Sequence, residues 1–152
     1  MPAFAQEVVP RTLTVVGQGV ISVPTVKAQV RLGINVEADT AESAQTEAAR
    51  RSTAVIELLR AREVEELETT GIRLQPRYAS GERRQARRLI GYQATNLVSF
   101  QVPSERAGEI MDAAIAAGAT RIDGIGFVAA EEAISSAREQ ALQAAVEDAQ
   151  QQ

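Results

Sequence analysis

The chain has 152 residues, 45% of them apolar and 24% charged, and a net charge of −4, which suits one globular domain with room for a core. It contains no histidine, cysteine or tryptophan, and its basic side chains are all arginine apart from Lys27. Those absences remove the commonest general acid/base and metal ligand, the most easily activated nucleophile, and every disulfide or thiolate metal site. Catalysis, a bound metal and a cofactor are therefore not expected. The charge is too mild to point to nucleic acid, and no apolar run approaches the roughly 18 residues that a membrane-spanning helix needs.

In chain order, Ala3-Phe4-Ala5 before Gln6 has the small-x-small form found left of a signal-peptidase cut. Residues 1–10 are read as a disordered start or the remnant of an export signal, and 11–152 as a single domain. Thr12 to Val23 is rich in β-formers, broken by Gly17 and Gly19 and closed by Pro24. It predicts the first strand of a hairpin, bulged or bent at its glycines. From Val26 to Ala38 every second residue is apolar, the period of a strand with one buried face.

Asp39 then offers an N-cap, with Glu42 completing a capping box. The stripe Ala41, Ala44, Ala48, Val55 and Leu59 predicts an amphipathic helix from Thr40 to about Arg62. Thr69 to Tyr78 alternates again, Ser80 to Arg88 reads as a polar loop, and Leu89 to Val102 is a second long strand. Ser104 is expected to cap a short helix that ends at Gly118. Arg121 to Ala129 is a short apolar strand, and Glu131-Glu132 open an alanine-rich helix. That helix runs into Gln150-Gln151-Gln152 without a terminating residue, so the chain is expected to be truncated within it. The order β-β-α-β-β-α-β-α predicts an α+β fold. Its split β-α-β core is a largely antiparallel sheet with helices packed on one face.

Few residues suggest chemistry. Gly17-Gln18-Gly19 lacks the third glycine of a dinucleotide fingerprint, with Ser22 in its place, and a strand rather than a helix follows. Asp112, Asp123, Glu131 and Glu132 show no calcium-loop spacing. Arg83, Arg84, Arg87 and Arg88 are candidates for a weak anionic contact, weighed against a solvated loop whose charges deter edge aggregation. The stripe Ala137, Ala141 and Ala145 is a candidate interface, since small residues let another element approach closely.

Three segments occur in order: Thr14-Val15-Val16-Gly17-Gln18-Gly19, Gly91-Tyr92-Gln93-Ala94-Thr95-Asn96, and Gly118 through Phe127. With the Ala- and Arg-containing closing helix they closely resemble the SIMPL domain family, over about Arg11 to Ala149. Physically these are packing motifs: Gly124 and Gly126 flatten a strand, while Ile122, Ile125 and Phe127 are expected to supply core. The family is described as a domain of unknown function, and its bacterial members include periplasmic immunogenic and oxidative-stress-defence proteins, typically exported. One of known structure assembles into a large ring-like oligomer. Family members usually continue the final helix and add a last strand, and often carry an acidic residue where this chain has Pro24-Thr25. The resemblance implies a non-enzymatic protein of the periplasm or cell envelope, a homo-oligomer acting through self-assembly, with a link to oxidative stress. The alternative is a carrier or scaffold for an apolar or anionic ligand.

Overall fold

The computed structural model describes residues 12–79 and 87–152, and its contacts divide them into two units. The larger unit, Thr25–Ala130, begins with β1 (Lys27–Ala38), where the period-two pattern is realised in full. Ala28, Val30, Leu32, Ile34 and Val36 are buried, while Lys27, Gln29, Arg31, Asn35 and Glu37 line the other face. Helix α1 (Ala41–Ala61) buries Ala44, Ala48, Ser52, Val55 and Leu59. Its cap is Thr40, not the expected Asp39. Thr40 is the last residue with extended backbone, and its hydroxyl accepts the Ser43 N–H at 3.1 Å. At the other end Glu63 takes φ 56, the left-handed turn that usually falls to glycine, and the Val64 N–H returns to the Leu59 carbonyl at 3.4 Å.

Strands β2 (Glu65–Ala79) and β3 (Arg88–Pro103) follow, then a 3-10 turn, Ser104–Arg106, leading into α2 (Ala107–Ala117) and β4 (Arg121–Val128). Ser104 does not cap α2 as expected. The turn carries the chain into the helix, and the Ser104 hydroxyl is buried without a partner among the described residues. Gly118, at φ 135, ends α2. The sheet order is β2-β3-β1-β4 with every neighbouring pair antiparallel, the split β-α-β arrangement of an α+β fold.

Helix α1 packs on β1 and β3, and α2 packs against α1, so one sheet face forms the core around Phe100, Leu32, Ile34, Leu59 and Ile110. One polar pair sits within it, Asn96 donating to the Ser52 hydroxyl at 2.7 Å. Both edge strands run past the helical cover. Ile72 and Leu74 on β2 register with Asn96 and Ala94, and Ile125 and Phe127 on β4 with Val30 and Ala28, so all four share the core-side face. Yet Ile72 is 64% exposed and Phe127 62%, and Ile122 and Ile125 are also exposed. The expectation that Ile122, Ile125 and Phe127 supply core is thus corrected: their orientation is right, but nothing in this unit covers them.

The second unit contains α3 (Glu131–Gln150) and, of the described residues, 12–24. The hairpin expected at Thr12 to Val23 does not form, because residues 12–26 pair with no strand. Instead Gly17 and Gly19 lie against the backbone of α3. A Cβ on Gly17 would stand 1.8 Å from the Ala145 carbonyl oxygen, and one on Gly19 would stand 2.0 Å from that of Ala141. These glycines serve close approach rather than a bulge. The Gln18 N–H donates to Asp148 Oδ2 at 3.0 Å, and the Gln152 amide donates to the Val16 carbonyl at 3.3 Å.

Candidate functional site

The face of the sheet opposite α1 and α2 is polar because it collects the alternate residues of all four strands. Its ordered pairs begin at one end with Lys27 and Glu65, an ion pair, beside Gln29, which donates to Ser99 at 2.6 Å and accepts from Gln101 at 2.8 Å. At the other end Arg77 meets Glu37 at 2.8 Å.

Between them the register sets Gly71, Leu97, Gly33 and Arg121 in one row across β2, β3, β1 and β4. Two glycines in a row of four leave a trough. Arg121 reclines across Gly33, where a Cβ would stand 2.9 Å from its Cγ and 2.6 Å from its Nε. Its guanidinium is held by Asp123, with Nε at 2.6 Å from Oδ1 and Nη2 at 3.4 Å from Oδ2. Asp123 itself is the extra residue of a β-bulge opposite Arg31 and Leu32. The next row holds Arg73, Thr95 and Asn35. A cavity of about 190 Å³ opens here, lined by Gly71, Arg73, Gln93, Thr95, Leu97 and Arg121 among others. Arg31 lies in the row on the other side of Gly33, beside Gly124, and neither it nor Arg73 has an ion-pair partner among the described residues.

Of the residues singled out from sequence, Arg83 and Arg84 lie outside the described residues, while Arg87 and Arg88 are exposed where the chain enters β3. Ala137, Ala141 and Ala145 form a half-buried stripe on α3, two of them facing Gly19 and Gly17. Sequence reasoning missed Arg73 and Arg121, although one signal was present. Gly33 interrupts the polar positions of β1, a hint that something lies across that strand.

Among the described residues, the one strongly shifted carboxyl lies elsewhere. On the outer surface of α1 the Arg50 and Arg51 side chains hydrogen-bond Glu47 and hold its pKa down to about 2. Among the described residues no three acidic side chains group closely enough to hold a metal ion, and no helix is long and apolar enough to cross a membrane.

No curated protein matches the chain. The family model named SIMPL, a protein of unknown function (DUF541), matches residues 13–152, so its span includes the glycine-bearing segment 13–24, the four-stranded sheet and α3. With nearly the whole chain covered, and the motifs that suggested the family lying in these elements, the chain belongs to the SIMPL family.

Proposed function

We propose that this protein is an exported component of the cell envelope that acts through self-assembly and without covalent chemistry, in a role linked to oxidative-stress defence. The observation that carries the assembly reading is the pair of open sheet edges. Among the described residues β2 and β4 each present an unpaired edge and, on the core-side face, exposed large apolar side chains: Ile72 and Leu74 on one edge, Ile125 and Phe127 on the other. Open edges with exposed apolar residues are where chains join, and two different edges permit head-to-tail contacts that close into rings. Ala141 and Ala145 already have neighbours within the chain, so the interface is assigned to the edges rather than to α3. A stable interface of this kind buries more than about 1,000 Å² in total.

Multi-angle light scattering of the purified chain tests this. The wild type should run as a dimer or larger at high micromolar concentration, and Ile125→Glu with Phe127→Glu should lower that state while circular dichroism stays unchanged. A monomeric wild type overturns the assembly reading. Periplasmic fractionation tests export separately.

A further inference from the structure

We propose that the trough on the outer sheet face is a binding site for a small oxyanion, a phosphate or carboxylate group, gripped between Arg73 and Arg121. The floor comes first. Gly71 and Gly33 contribute no side chain, so the space between the two edge strands is filled only by Leu97 and the reclining stem of Arg121. The walls are two guanidiniums from opposite edges of the sheet, β2 and β4, both facing one cavity of about 190 Å³. No carboxylate lines that cavity. Arg121 is tied through Nε and Nη2 to Asp123, which fixes its plane and leaves Nη1 to donate; Arg73 is unpaired among the described residues.

Planar guanidinium forks match carboxylate and phosphate oxygens, and such charge-assisted hydrogen bonds are the strong ones. Neutral donors stand ready beside them. The Gln75 amide donates to Gln93 Oε1 at 3.3 Å, which leaves the Gln93 amide N–H groups for a ligand, and Thr95 adds a hydroxyl. The cavity, about 190 Å³, has room for an oxyanion with a few attached atoms. The site lies on the opposite sheet face from Ile125 and Phe127, so its side chains are distinct from the apolar ones assigned to assembly.

The test is a two-dimensional amide NMR titration of the whole chain with inorganic phosphate, and separately with acetate, at constant ionic strength. Saturable shifts are expected at Gly71, Arg73, Thr95, Leu97 and Arg121, with a millimolar midpoint. Arg73→Gln and Arg121→Gln should each weaken binding at least about fivefold, with Arg73→Lys intermediate, and the same spectra report whether each variant is folded. Joint substitution of Arg83, Arg84, Arg87 and Arg88 by Gln should leave the midpoint unchanged. Shifts that do not saturate, or that vanish only in the joint variant, overturn the proposal. So does binding to anionic phosphatidylglycerol vesicles in the absence of any response to phosphate or acetate.

Discussion

Leu32→Ala is the substitution that tests the core most directly. Leu32 is fully buried on β1, opposite Val98 on β3 and Ile122 on β4. Three carbons at about 0.8 kcal/mol each remove about 2.4 kcal/mol of transfer free energy. A void that fails to collapse adds about 24 cal/mol per Å³, so about 50–80 Å³ of residual cavity adds about 1–2 kcal/mol. Leu32 sits on the central part of a strand paired on both sides, where backbone relaxation is restricted. The two terms together, about 3–4 kcal/mol, are therefore expected in full. For a chain of this length that lowers the melting temperature by roughly 6–16 °C. Ile72→Ala is the internal control. It removes a side chain of the same size from the same sheet face, but Ile72 is 64% exposed in the single chain, so at concentrations too low for assembly its cost should stay within about 0.5 kcal/mol. Urea unfolding followed by circular dichroism reads both. If Leu32→Ala costs under about 1 kcal/mol, or Ile72→Ala costs more than Leu32→Ala, the assignment of the core to the α1-covered centre of the sheet is wrong.

Gly19→Val should free residues 12–24 from α3, because the new Cβ meets helix backbone at 2.0 Å and neither side can yield. Hydrogen exchange in α3 should then rise about tenfold or more while the amides of β1 and β3 keep their protection; unchanged exchange in α3 would refute the packing. Glu63→Gly should raise stability by about 0.5–1 kcal/mol in the same urea assay, by relieving a left-handed residue at the end of α1. The Glu47 pKa is lowered from 4.5 to about 2, so its ion pairs favour the folded state above about pH 4.5 and that contribution is lost as pH falls through 2. An NMR titration should place its midpoint near the lower value, and Arg50→Gln with Arg51→Gln should return it toward the upper one.

The parts of the fold legible in the sequence are those where one physical cause acts alone. β1 alternates perfectly because water wets one face and α1 covers the other, and β3 is legible for the same reason. Alternation reports extended backbone, however, and not what that backbone pairs with. Thr12 to Val23 carries the same strand-like composition, yet it runs along a helix without a ladder. The choice of Thr40 over Asp39 as cap turned on a one-residue difference in where extended backbone ends, which composition does not encode. The trough was out of reach for a further reason. Arg73 and Arg121 are distant in the chain and meet only through the register of four strands, and register is a tertiary property.

Glycine is the thread that joins these misses. Gly17 and Gly19 make room for a helix backbone, and Gly33 makes room for an arginine stem; in each case the residue is defined by what lies against it. Gly126 shows the contrast, since nothing among the described residues stands within 4 Å of where its Cβ would be. The distinction bears on function. A glycine that shields nothing can be replaced without moving a side chain, whereas Gly33→Val would push Arg121 off the sheet and away from Arg73. Anion binding should then fall as it does in Arg121→Gln, with the core-side face and its exposed edges untouched. Assembly that survived Gly33→Val while phosphate binding was lost would show the two faces of the sheet to be separate in use as well as in construction.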